Sequence, residues 1–250
     1  MKKLLLCLML TSSMSLFSDL NQKDEALFQA IELMDLKAVE EALTNGADAN
    51  VINDCGGDSP LQRAERKGNT EIFELLIDNG AKIDVFGECT NETILHSAVT
   101  HRHAEIIQLL LARNADVNVR DKYLNTPLHE AAADCKSIAI AQLLIENGAD
   151  VNAMNKYGET PLYQAIKGHY FQPIRSLEMV ELLLDHGADV NSIVCSEKKL
   201  TPLLWAVIER QKEIVKLLLN RGADRKAVDV DGHTALFWAQ YDPEIARLLY

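Results

Sequence analysis

A chain of 250 residues with 48% hydrophobic and 25% charged content carries enough apolar material for a substantial core and reads as soluble and globular. A formal charge of −12 and a pI near 5.0 argue against a general nucleic-acid binder, whose Lys and Arg must displace counterions from phosphate. The same charge disfavours an anionic membrane surface.

Residues 1–18 differ in kind from the rest. Lys2 and Lys3 lead into the apolar run Leu4–Leu10, and the small, polar stretch Thr11–Ser15 follows. This order predicts a secretory signal peptide cleaved after Ser15 or Ser18, its apolar run too short to span a bilayer. Two other readings stand beside it: a lipoprotein processed at Cys7, which no apolar region precedes, and a hydrophobic leader that is retained. The expected location is the periplasm or the exterior.

Residues 24–53 predict a helical pair. Ala26, Leu27, Ala30 and Ile31 share one helix, Val39, Ala42 and Leu43 the next, and Glu32, Glu40 and Glu41 face water. Beyond it two markers recur in constant phase. Gly-Ala-Asp and its variants place Ala47, Ala81, Ala115, Ala149, Ala188 and Ala223 in register, at steps of 34, 34, 34, 39 and 35. Ser59-Pro60-Leu61, Thr93-Ile94-Leu95, Thr126-Pro127-Leu128, Thr160-Pro161-Leu162, Thr201-Pro202-Leu203 and Thr234-Ala235-Leu236 recur at nearly the same step. Such a period is the mark of a stacked-repeat architecture.

Each marker has a physical reason. Threonine accepts from the orphan amides of a helix start, and proline at the first helical position gives up an N–H the helix cannot use. The second helix of a unit is densely apolar, with Ile106, Ile107, Leu109, Leu110 and Leu111 in one and Ile214, Val215, Leu217, Leu218 and Leu219 in another. Burial of nearly all its faces is expected. Glycine ends it in the left-handed conformation, and Asn114 substitutes at the one place where the next-best residue for that backbone should stand. A polar turn such as Asp121-Lys122-Tyr123 then projects as a short β-like finger. The last unit keeps a helix start at Asp242-Pro243-Glu244 and has no Gly-Ala-Asp of its own.

Thr126-Pro127-Leu128-His129-Glu130-Ala131 matches the T-P-L-H-x-A element of the ankyrin-repeat family at every fixed place, and the chain resembles that family over residues 24–250. Thr160–Ala165 and Thr201–Ala206 depart at the histidine, and Thr93–Ala98 at the proline. The resemblance implies an all-α fold: an ankyrin-repeat solenoid of paired antiparallel helices with short β-like finger loops. About seven units follow: a cap at 24–53, internal repeats at 54–87, 88–120, 121–154, 155–195 and 196–228, and a shortened unit at 229–250. It further implies that His96 and His129 are structural, bonding loop and threonine groups, and that the chain binds a partner protein.

Residues suited to chemistry fit blander roles. His101-Arg102-His103 near Cys89 lacks the ordered spacing of a zinc site, and His96-Ser97 lacks the glycine-rich turn of a serine nucleophile. Neither an enzyme nor a metal or other cofactor is expected. Cys55, Cys89, Cys135 and Cys195 are expected to be free thiols: Cys55 and Cys89 stand one 34-residue repeat apart. Repeats stack at about 10 Å, whereas a disulfide needs Cα atoms within about 7 Å. The recurrent Asn50, Asn118, Asn152 and Asn191 are explained by a structural role in their loops.

Function then falls to the surface. Stacking creates a face lined by finger tips and first-helix exteriors. The variable positions there are Arg66, Lys67, Thr100, His101, Lys122, Tyr123, Asn125, Lys156, Tyr157, Lys167, Lys198 and Glu209. Several are basic in an acidic chain, which predicts a tyrosine-containing positive stripe that meets an acidic surface of the partner; solvated finger lysines are the alternative. Five or six residues are inserted around 168–176, between two helices, and present Tyr170 and Phe171 as further anchors or as an extension of the core. The leading expectation is an exported, monomeric protein-binding module with neither a nucleic-acid ligand nor a membrane span. An inhibitor or accessory subunit of an exported enzyme, and a secreted effector acting on a host protein, are the alternatives.

Overall fold

A computed structural model describes residues 22–52, 58–84, 92–134, 137–167, 173–194 and 199–250, the side chains of 173–175 excepted. The leader, the four cysteines of the repeats, Tyr170, Phe171 and Lys198 lie outside the described residues. The chain divides into two compact units, Met1–Cys89 with Glu105–Ala115, and Thr90–Ala104 with Asp116–Tyr250.

The first unit holds α1 (22–32), α2 (Leu36–Thr44), α3 (Pro60–Lys67), α4 (Thr70–Asp78) and, beyond its first residue, α6 (Ala104–Ala112). Leu27, Ala30, Ile31, Val39 and Ala42 bury the inner faces of the first pair, while Glu32, Glu40 and Glu41 are exposed as the cap requires. Ala26, placed on the apolar face by its spacing, is exposed among the described residues, one turn from the helix start. Ser59 and Gln62 form a reciprocal cap at α3, the Ser59 amide donating to Gln62 Oε1 at 2.8 Å and the Gln62 amide to Ser59 Oγ at 3.2 Å.

The second unit holds α5 (Ile94–His101), α7 (Pro127–Ala133), α8 (Ile138–Glu146), α9 (Pro161–Lys167), α10 (Pro173–Asp185), α11 (Pro202–Ile208), α12 (Lys212–Asn220), α13 (Ala235–Trp238), a 3-10 turn (Ala239–Tyr241) and α14 (Pro243–Leu249). First helices α5, α7, α9, α11 and α13 form one layer, and second helices α8, α10, α12 and α14 the other. The densely apolar second helices keep an exposed edge. On α12, Ile214, Val215 and Leu218 are buried, but Leu217 and Leu219 are only half-buried and Glu213 is exposed. Among the described residues of this unit the helices form two layers, so the side of a second helix away from the first helices meets water.

Helix starts follow the expected chemistry at Thr160 and Thr201, whose hydroxyls accept from the Tyr163 and Leu204 amides at 3.3 Å, whereas Thr234 makes no such cap bond. In the unit ending at Gly148, the Gly148 amide donates to Ile145 O at 3.0 Å and the Ala149 amide to Leu144 O at 3.0 Å, the pairing of a Schellman cap. Asn114 takes the same left-handed place at φ 61°. The insertion is partly helical: α10 has 13 residues where α8 and α12 have 9. Pro173–Ser176 therefore extend the second helix at its start, and Ser176 Oγ, fully buried, donates to Ala165 O at 2.8 Å.

The recurrent asparagines join successive repeats. In the second unit Asn118 Nδ2 donates to Gly148 O at 3.0 Å and Asn118 Oδ1 accepts from the Asp150 amide at 2.8 Å. Asn152 repeats this with Gly187 O (3.0 Å) and the Asp189 amide (2.8 Å), and Asn191 with Gly222 O (3.4 Å) and the Asp224 amide (2.8 Å). In the first unit Asn50 does the same with Gly80 O (2.9 Å) and the Lys82 amide (2.8 Å). A primary amide offers a donor and an acceptor side by side, which is what a neighbouring backbone segment presents.

Candidate protein-binding surface

The fingers of the second unit are shaped by their own side chains. Asp121 Oδ1 accepts from the Tyr123 amide at 2.8 Å and the Asn125 amide at 2.7 Å, and the Asp121 amide donates to Asn125 O at 3.0 Å. Asn155 does the same for Tyr157 (2.9 Å) and Glu159 (3.0 Å), and Asp229 for Asp231 (3.0 Å) and His233 (2.9 Å). An antiparallel bridge between Val228 and Thr234 closes the last of these.

Histidines on the first helices hold two fingers from behind. Nδ1 of His129 accepts from the Thr126 amide at 3.1 Å, and Nε2 lies 3.0 Å from Glu159 O. His96 repeats the arrangement with Thr93 (3.4 Å) and Asn125 O (3.1 Å). The contacts fix the neutral tautomer that carries its proton on Nε2. Burial depresses both imidazole pKa values, and the carbonyl bonds oppose that depression in part.

This frame brings Lys122, Tyr123, Lys156 and Tyr157 together. The Lys156 amide donates to Tyr123 O at 2.9 Å, so one finger tip is tied to the next. Lys156 Nζ stands 4.1 Å from the Tyr123 ring centre and 5.0 Å from that of Tyr157, and Lys122 Nζ stands 5.0 Å from that of Tyr123. These are cation–π distances. Tyr123 is 37% exposed and Tyr157 51%, with Leu124 and Met154 exposed beside them.

The other sequence candidates separate from this cluster. Thr100 and His101 are exposed at the end of α5, and Glu209 is half-buried after α11. Asn125 is committed to the fold: its amides donate to Asp121, its Oδ1 accepts from Asn155 Nδ2 at 3.0 Å, and its carbonyl faces His96. Lys167 is paired with Glu159 at 3.1 Å. In the first unit Arg66 pairs with Asp58, and Lys67 with Glu32 at 2.5 Å; Lys67 and then Arg63 hold the Glu32 carboxyl below its ordinary value.

The first helices also carry features that the motif reading passed over. Glu130, half-buried on α7, has its pKa raised by burial and then by Asp121 and Glu92. Burial likewise pushes the Tyr163 phenol far up, with Glu159 and Glu209 adding to it. Trp205 packs against Tyr163 at 5.4 Å between ring centres, and Phe237, Trp238 and Tyr241 are exposed at the last unit. Their signal was positional: Trp205 and Trp238 both stand fifth, counting the threonine that opens the helix as first, among residues treated as variable. Asp229, Asp231 and His233 bring ligand-type atoms within 4.8 Å of one another, but Asp229 is already used by two amides and by Trp238 Nε1 at 2.9 Å. Among the described residues no helix is long and apolar enough to cross a membrane.

With periodic caps, asparagine joints and histidine-held fingers in place, the comparisons concur. The family model described as ankyrin repeats (3 copies) matches residues 27–121, 120–194 and 175–250, and the chain belongs to the ankyrin-repeat family. The ankyrin repeat domain of Bcl-3, described as a unique member of the IkappaB protein family, is similar at 27% identity and a TM-score of 0.77, over 90% of this chain and 97% of that one. An ankyrin repeat domain from Acinetobacter baumannii AYE is similar at 26% identity and a TM-score of 0.71, over 79% of this chain and 98% of that one. No curated protein matches. The fold is an ankyrin-repeat solenoid, an architecture that generally serves protein–protein interaction and is typically non-catalytic.

Proposed function

We propose that this chain is an exported, monomeric and non-catalytic interaction module that captures a partner protein through the finger side of its second unit. The observation that carries the reading is the Lys122–Tyr123–Lys156–Tyr157 cluster. Backbone bonds fix the two adjacent finger tips, and cation–π contacts gather two tyrosine rings and two ammonium groups there, so the loop backbone has little left to order on binding. Rigid tyrosines are efficient anchors, and a local positive charge on a chain of net −12 favours an acidic patch on the partner.

Compared with the stripe expected from sequence, the proposed contact is narrower. Arg66 and Lys67 stand in the first unit, Lys167 lies at the end of α9 rather than on a finger tip, and Asn125 serves the finger itself. The leader at 1–18 supports export, and intact-mass analysis of protein recovered from outside the cytoplasm should show a chain beginning at Leu16 or Asp19. A full-length first residue in that fraction would contradict cleavage. The binding claim is tested by using the mature chain as bait in an extract of the native compartment. A retained protein that is lost when bait carries Lys122→Glu and Lys156→Glu supports the reading, and equal retention by both baits overturns it.

A further inference from the structure

In the second unit the residues standing fifth from the opening threonine are Ser97, Glu130, Gln164, Trp205 and Trp238. The face therefore changes from polar to aromatic along the unit, and both tryptophans of the chain fall at this place. Phe237 is 42% exposed, Trp238 39% and Tyr241 79%, a run of rings in water that a monomeric surface seldom presents without use. The Trp205 indole N–H is buried with no hydrogen-bond partner among the described residues, which leaves a donor unsatisfied beside the Tyr163 ring.

Carboxylates stand beside these rings. Glu209 lies one helical turn after Trp205 and acts on the Tyr163 phenol that packs against it. Asp229 Oδ2 accepts from Trp238 Nε1 at 2.9 Å, so one carboxylate is fixed at the edge of an exposed indole, and Asp231 stands exposed on the same finger. Aromatic faces beside carboxylates attract a guanidinium or ammonium by cation–π and ionic terms together. A partner's acidic residue would meet like charge here, unlike at the Lys122 and Lys156 tips.

We infer that the aromatic end of this face, built on Trp205, Trp238 and Tyr241 with Asp231 and Glu209, is a second subsite that takes an arginine or lysine side chain, flanked by apolar residues, from a partner polypeptide. The inference rests on the finger and first-helix side being the binding face, and it assigns that face two ends of opposite preference. A partner segment with an acidic end and a basic-apolar end would be read in one direction only.

The two tryptophans make the full chain its own reporter. Its intrinsic emission is titrated with two blocked hexapeptides, Ala-Leu-Arg-Leu-Arg-Ala and the same peptide with both arginines replaced by glutamate. The expected result is a saturable change with the arginine peptide and none with the glutamate peptide. Trp238→Ala should weaken the apparent affinity, read from the emission of Trp205, at least tenfold, while Lys226→Ala, at an exposed position outside the fingers, leaves it unchanged. Tyr241→Ala, at the most exposed ring, gives the same test should Trp238→Ala disturb folding as read by circular dichroism. Equal responses to both peptides, no saturable response, or loss of the response in the lysine variant overturns the inference. If the arginine peptide fails but native-partner capture still depends on Lys122 and Lys156, only the aromatic subsite is lost; if capture fails as well, the binding face itself is wrong.

Discussion

Fingers 121–125 and 155–159 have the same internal geometry as finger 229–233, yet they are anchored differently. Each is bent by one carboxylate or amide oxygen that takes two backbone amides. His96 and His129 hold the first two through their carbonyls. At the third, Leu204 stands where those histidines do and has no polar atom to offer; Trp238 bonds Asp229 instead, and the His233 ring stacks on Phe237 at 3.8 Å. The shape of a finger is thus written in its own residues, and its anchorage in the preceding or following helix. At this finger an indole bonds the bending carboxylate in place of a histidine bonding the carbonyl.

The largest expected effect breaks the histidine anchorage. His129→Ala removes a buried ring and leaves Glu159 O without its donor, and should cost about 3 kcal/mol in urea unfolding. Leu204→Ala at the equivalent place should cost a similar cavity term but leave the emission of Trp238 native-like until global unfolding. A proton should act on the same contact. Since burial lowers both histidine pKa values in the fold, their neutral form contributes stability that is fully present above the unfolded value, about 6.5. That stability is lost as pH falls from there through the folded values, because protonated Nδ1 faces the threonine amide. The urea midpoint should fall between pH 7.5 and 5, and a His96→Leu, His129→Leu variant should lose most of this slope.

Along the asparagine edge, Asn152→Ala removes both bonds to Gly187 and Asp189 and should cost about 1–2 kcal/mol, whereas Asn152→Asp, which keeps only the acceptor, should lose nearly as much. The smallest effect has the other sign. Leu124 sits at φ 61° where the companion fingers have Gly158 and Gly232, and its side chain is exposed. Leu124→Gly should stabilise by about 1 kcal/mol, the relief of a left-handed leucine exceeding the entropy of the added glycine. A Tm unchanged or lowered by this substitution would refute the strain.

The repeat frame was legible because its parts are local. A threonine cap, a proline at the first helical position or Asn114 at a left-handed turn can be judged from a few neighbouring residues. The pairing of polar side chains was not, since Lys67 finds Glu32 and Asn125 finds Asn155 across about a repeat's length of chain. Periodicity reports which side of a helix a residue takes, not which opposite charge the next repeat supplies. Trp205 and Trp238 escaped for a related reason: at a place the motif leaves open, only alignment of successive first helices shows that the two rings share a face. The insertion at 168–176 misled in part, because Pro173 starts a helix as readily as it bends a loop.

The central claim is that the paired lysines and tyrosines of adjacent finger tips bind the partner. Its most direct test is the dissociation constant of the captured protein for Lys122→Glu, Lys156→Glu chain, compared with Lys226→Glu, a charge reversal on the asparagine edge. A loss of at least tenfold in the finger variant, with the edge variant close to wild type, is the predicted result; equal affinities for all three chains would contradict it.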